Sequence, residues 1–181
     1  LSFIFSALYP AFVKKLILVG SGVYEEQYVA TIMETRLNRL NKEERKEAYS
    51  WMEAMDDPVV KDKNTPFARL GVLLTKADAY KPLILDSEDL EVQYHIYQSV
   101  WNDAVELRRS GELLKLGRQI QCPVVAIHGD YDPHPPDGIK KPLSAVLENF
   151  RFILVKNCGH MPWIEKEAKN AFYEILKNEL R

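Results

Sequence analysis

The sequence predicts an α/β layer fold with about three parallel strands, flanking helices, and a long helical insertion between the first two strands. Three observations carry this expectation. Short apolar runs recur at "LILV" (16–19), "VVAI" (124–127) and "FILV" (152–155), without polar alternation, as strands buried on both faces of a parallel sheet read. Each run ends in turn chemistry, "GSG", "HGDYDPHPPDG" and "KNCGHMP" in that order. Helical patterns separate the runs, and strand–helix–strand order implies right-handed crossovers packed on a sheet.

Taken along the chain, "LSFIFSALYP" reads as the end of a buried helix stopped near Pro10. It is too short, and too uncharged at its start, for a signal peptide. A chain that opens in mid-helix without Met is expected to be a fragment or a processed product. Residues 24–117 follow the first strand and read as a helical cap or lid, too long for a simple crossover. Val29, Ile32, Met33, Leu37 and Leu40 share one helical face, and Ala48, Trp51, Met52 and Met55 another. "DPVVKDKNTPF" (57–67) reads as a loop. Ser87, Glu88 and Asp89 look like an N-cap and acidic first turn for a helix that Gly111 breaks. Residues 1–23 and 118–181 then form the sheet-bearing core. In it "KKPLSAVLENF" predicts a short helix, and Ala168, Ala171, Phe172, Ile175 and Leu176 line the inner face of a final one.

Bulk properties narrow the class. The chain has 181 residues, 46% of them hydrophobic and 28% charged, ordinary for a globular protein with a real core. A net charge of −2 gives no basic face for nucleic acid. No apolar run approaches the roughly 20 residues of a membrane span. Cys122 and Cys158 match no zinc spacing and no disulfide framework, and fit a reduced, cytoplasmic setting. No cofactor is implied.

In open α/β sheets, ligands bind beyond the carboxyl ends of the strands. Three loops qualify here, carrying Ser21 between two glycines, then His128, Asp130, Asp132 and His134, then His160. A carboxylate on one such loop and an imidazole on the next suit general-base chemistry, because the carboxylate fixes the tautomer and stabilises the imidazolium. His128 follows an apolar strand and reads as a packed residue. His134, among prolines, reads as a loop residue, and His95 as surface or core of the helical region. A metal hydrolase built on His128, Asp130, Asp132 and His134 fits less well, since Pro133, Pro135 and Pro136 restrict the loop and no helical ligand spacing is present. The expected metal content is none.

Together "YPAFVKKLILVGSG", "CPVVAIHGDYDPHP" and "CGHMPWIE" resemble, in order and spacing, the C-terminal half of the α/β-hydrolase fold, in its esterase- and aminopeptidase-like members with helical caps. That resemblance implies a serine hydrolase acting on a small ester, amide or short peptide. It places the triad acid on Asp132, with Asp130 as the turn-shaping neighbour, and the triad base on His160. It also implies a G-x-S-x-G nucleophile elbow, which the sequence lacks. By register the elbow belongs shortly before Leu1. Ser21 is the best-placed resident serine, but "VGSG" resembles the loop that leads into the cap. Cys158 is expected to pack beneath the His160 turn. Candidate substrate-binding residues are Ser21, Tyr24, Glu25 and Trp101, with Glu25 or Glu26 as an anchor for a substrate amino group. Trp51, Met52, Met55, Tyr94 and Tyr97 either line a pocket or pack the core. A bare "LILV" edge predicts either an accompanying N-terminal half or a homodimer through that edge. Without its nucleophile, the alternative is a catalytically inert fragment or an interaction module.

Overall fold

Three strands, β1 (Leu16–Val19), β2 (Val124–Gly129) and β3 (Phe150–Val155), form one parallel sheet in the order β1-β2-β3. The computed structural model describes residues 1–83 and 92–181. Leu16 pairs with Val124 and Val124 with Phe150, so the three carboxyl ends finish on one side. Only β2 is buried along its whole length; β1 alternates, and β3 keeps Leu154 half-exposed. The expectation of strands buried on both faces therefore holds for the central strand alone, the only one with a neighbour on each side.

The pleat divides β2 between two cores. Val125 and Ile127 meet Ala168, Phe172, Ile175 and Leu176 of the last helix, α8 (Lys169–Glu179). Val124 and Ala126 face Phe3 of α1 (Ser2–Leu8) together with Ile139 and Leu143 of α7 (Asp137–Val146). Ala171, expected on the inner face of α8, is exposed instead. At the far end of α8 the buried Glu179 pairs with Lys15 and Arg151, which ties the last helix to the bases of β1 and β3.

Helix α7 starts at Asp137, inside the stretch read as turn, and carries Pro142 in its middle. A proline there removes one intrahelical donor and frees the Gly138 carbonyl. That carbonyl accepts from the Tyr24 backbone N–H at 3.1 Å, so the interruption joins α7 to the loop after β1.

Between β1 and β2 lie α2 (Ala30–Arg39), α3 (Lys42–Asp56), α4 (Asn64–Asp78), α5 (Tyr94–Arg109) and α6 (Glu112–Leu116). Asn41 opens α3 with a capping box: its side chain accepts from Glu44 N at 2.9 Å and Glu44 reaches back to Asn41 N. Leu40, Ala48, Leu70, Leu73 and Ala77 make a separate small core, with Trp51 and Met52 packed against it. The loop expected over 57–67 forms over 57–63, while α4 takes its last four residues. Pro66 sits in the first turn of α4, where no intrahelical donor is needed, so it is compatible with a helix start. Gly111, with φ +75°, ends α5 as expected. The expected cap at Ser87, Glu88 and Asp89 lies outside the described residues. Among the described residues no helix is long and apolar enough to cross a membrane.

Candidate functional site

The loops after the three strands converge. Gly20, at the end of β1, has φ +54°, and a Cβ there would run into the His160 carbonyl. Gly129, at the end of β2, lies so close to the Cys158 and Gly159 carbonyls that a side chain would not fit. The β2 loop is then stitched to the β3 loop: Asp130 N donates to Val155 O and Tyr131 N to Cys158 O, both at 2.9 Å. Asp130 accepts from Cys158 N at 3.2 Å and so shapes the turn. Asn157, with φ +54°, turns the chain out of β3 toward His160.

This stitching sets Asp132 against His160. His160 Nδ1 lies 2.8 Å from Asp132 Oδ2, and Asp132 is fully buried. Asp130 makes no such contact. On its other oxygen Asp132 accepts from the His134 backbone N–H at 2.9 Å and from His134 Nδ1 at 2.8 Å. Since a carboxylate only accepts, both imidazoles carry their proton on Nδ1 and present a bare Nε2. His134, read from the sequence as a loop residue, is thus a second imidazole on the same carboxylate, its ring centroid 4.9 Å from that of His160. Its signal was there to find: a histidine two residues after the Asp, in a Pro-rigidified turn.

His128 is buried beneath this pair. Its Nε2 donates to the His134 carbonyl at 2.9 Å, which leaves Nδ1 a bare nitrogen 3.7 Å from Asp132 Oδ2. Among the described residues it is the buried side-chain polar atom with no partner. The metal-ligand set imagined from the sequence does not assemble, since Asp130 is spent on the Cys158 amide. Asp132, His134 and His160 lie close together, but both Asp132 oxygens are taken by the two imidazole N–H groups, so hydrogen bonds hold this cluster.

Burial and pairing pull these groups in opposite directions. Burial alone would raise Asp132; hydrogen bonds from His134 and His160 overcome it and hold the carboxyl well below the usual range. For His160 burial works to lower the pKa, and the Asp132 hydrogen bond and charge raise it above the ordinary histidine value. Burial pushes His128 down. Below about pH 6.5 the unfolded chain protonates His128 more readily than the folded one, so stability falls with pH. Above that value the contribution of His160 is lost as pH rises through its raised folded pKa. Urea midpoints measured from pH 4 to 9 should therefore peak near the ordinary histidine pKa of about 6.5. His128→Gln should flatten the acid limb, and His160→Asn the alkaline limb.

Among the described residues, neither Ser21 nor Cys158 bonds to His160. Ser21 Oγ donates to Gly22 O at 3.2 Å and lies 3.5 Å from Tyr24 Oη. The Cys158 thiol is fully buried, lies 3.4 Å from Gly159 O, and is pushed up to about 12 by burial. Both His160 and His134 open into a cavity of about 720 Å³ beneath the helical segment. Its walls are Met33, Met55, Phe67, Tyr94, Tyr97 and Trp101. Trp51 and Met52 pack the small helical core instead. Tyr24 is also a core residue, its ring 5.1 Å from Phe3 and its hydroxyl pushed up to about 12 by burial. Glu25 accepts from Gln27, and Glu26 on the cavity rim is already held by Arg108 and Arg109, at 3.0 and 3.4 Å. His95 is on the surface of α5.

The exit of α4 is laced to the His160 loop. Asp78 is buried and bonded through both oxygens to Arg36, at 2.7 and 2.6 Å, while its backbone carbonyl accepts from His160 N at 2.9 Å. The fully buried Glu165 accepts from Tyr80 N and Lys81 N at 2.7 Å and from Gly159 N at 2.9 Å. Arg39 lies over the Tyr131 ring, 3.6 Å from its centroid. Sequence reading missed Arg36, Asp78 and Glu165, whose partners, Gly159 aside, are distant in the chain.

No protein-family model matches the sequence, and no curated protein sequence matches it. Solved structures do match. VinJ superimposes with a TM-score of 0.62 at 15% identity, over 99% of this chain and 61% of its own. A proline iminopeptidase from Mycobacterium smegmatis gives 0.54 at 15%, over 99% and 60%. A monoacylglycerol lipase from Paleococcus ferrophilus gives 0.53 at 14%, over 98% and 62%. The likeness shows the fold: this chain is a part of the α/β-hydrolase fold, and it spans about three-fifths of the length of these structures.

Proposed function

From a chain that is part of the α/β-hydrolase fold, we propose that residues 1–181 supply the acid, the base and the cap of a serine hydrolase acting on a small ester, amide or short peptide. The observation that carries this reading is the His160–Asp132 hydrogen bond of 2.8 Å at the carboxyl edge of the sheet, with His160 open to the cavity. Asp132 orients His160 and stabilises its imidazolium. His160 Nε2 takes the proton of an attacking hydroxyl and returns it to the leaving group. The serine and the oxyanion donors lie outside these 181 residues. Their natural seat is the side where β1 has no described neighbour and where α1 leaves Phe5 49% and Leu8 54% exposed, with Phe12 just beyond it at 80%. This favours an accompanying segment over a homodimer through the edge. Residues 24–117 act as the cap, and their aromatic and Met-lined cavity suits an apolar acyl or side-chain group. Two fold neighbours, a proline iminopeptidase and a monoacylglycerol lipase, bear names that span the amide and ester ends of the proposed range.

A fluorophosphonate probe tests the reading. The longer protein should be labelled, and His160→Ala should abolish the labelling. Labelling of the 181-residue chain by itself would overturn the placement of the serine. The engaged Ser21 and the buried Cys158 thiol favour, for the chain in isolation, the second reading of an inert or interaction module.

A further inference from the structure

Two imidazoles share one carboxylate. His160 Nδ1 takes Asp132 Oδ2 and His134 Nδ1 takes Oδ1, each at 2.8 Å. The backbone holds the arrangement, since His134 N also donates to Oδ1 and the His134 carbonyl accepts from His128 Nε2 at 2.9 Å. His134 is therefore fixed at its amide, its carbonyl and its ring. A ring that only filled space would not need its N–H aimed at the one carboxylate that serves His160.

Resting on the reading of His160 as base, we propose that His134 is a positioning residue that divides the Asp132 carboxylate with His160 and so weakens the pull the carboxylate exerts on the His160 proton. The physical basis is competition for one charge. Each N–H donated to a carboxylate withdraws charge from it, and a carboxylate that already accepts at Oδ1 is a poorer acceptor at Oδ2. With Asp132 accepting from His160 alone, the carboxylate would pull harder on the His160 proton. A second donor lessens that pull, so His160 gives up its proton more readily between turnovers.

Other charges also face His160. Asp78, at the end of α4, adds to the pull on its proton, and Arg36 of α2 opposes it. These two are paired with each other. His128, from β2, approaches Asp132 through a bare nitrogen and donates nothing to it. His134 is thus the side-chain donor that competes with His160 for Asp132 among the described residues.

The test is an NMR titration of His160 in the 181-residue chain, which needs no nucleophile. His134→Phe keeps a ring and removes the donor. The expected result is a rise of about 0.5–1 unit in the His160 pKa and a downfield move of its Nδ1 proton. His134→Gln, whose amide can donate to Asp132, should leave the His160 pKa near its native value. If the Phe chain does not fold, the smaller His134→Leu carries the same expectation. A His160 pKa unchanged or lowered in both apolar variants overturns the proposal. Equal shifts in the Gln and apolar variants would also overturn it, by showing bulk rather than donation to matter. Failure of the hydrolase reading appears elsewhere, as fluorophosphonate labelling of the longer protein that survives His160→Ala.

Discussion

Glu165→Ala is expected to remove about 3–5 kcal/mol of stability, read as a lower urea midpoint at unchanged slope. Glu165 is fully buried, and its two oxygens take three backbone amides, those of Tyr80, Lys81 and Gly159. Alanine leaves all three N–H groups without that acceptor, and each costs on the order of 1–3 kcal/mol when buried and unpaired. Glu165→Gln keeps the volume but turns one acceptor into a donor facing an N–H, so an intermediate loss is expected. A loss under about 1 kcal/mol for the alanine variant would mean that water replaces the carboxylate. The backbone bonds around it, Leu83 N to Ile164 O at 2.7 Å and Lys166 N to Lys81 O at 2.9 Å, would then be holding the segment alone.

On the proposed hydrolase reading, in a protein that joins this chain to the proposed nucleophile segment, Asp132→Asn should lower kcat about 10⁴-fold with little change in KM. The Asn amide can donate to His160 Nδ1, which moves the imidazole proton to Nε2 and turns the bare nitrogen away from its role as acceptor. Met33, Phe67 and Trp101 line the cavity and Asp132 does not, so substrate affinity should survive. Steady-state kinetics on the variant check this. A loss below tenfold would show that another carboxylate orients His160.

Much of the fold was legible because it is local. Four-residue apolar runs followed by Gly-, Pro- and Asp-rich turns can hardly be anything but strands of a parallel sheet, and all three formed. The His160–Asp132 juxtaposition was approachable because both residues follow strands, and adjacent parallel strands bring such loops to one edge. Less legible was whatever depends on distant partners. Nothing near Glu165 in sequence reveals the Tyr80, Lys81 and Gly159 amides, and Asp78 gives no hint of Arg36, 42 residues away. His134 was discounted because prolines on both sides suggested an idle loop, yet its amide and ring both bond to Asp132. The start of α4 at Asn64 was hidden inside the loop expected over 57–67, since a proline in a first turn and one in a loop look alike without the helix that follows.

The lacing at residues 78–83 bears on how such proteins diversify. The helical segment meets the sheet not only where it leaves β1 and rejoins β2 but also at its midpoint, against the very loop that carries His160. A graft that swapped residues 24–117 for another set of helices would cut this third attachment and disturb His160, the proposed base. If the proposed hydrolase reading holds, exchange of substrate preference is therefore more accessible by single substitutions along the α2 and α5 walls than by replacing the segment whole. Modularity, which the order of elements suggests, is limited by one buried glutamate.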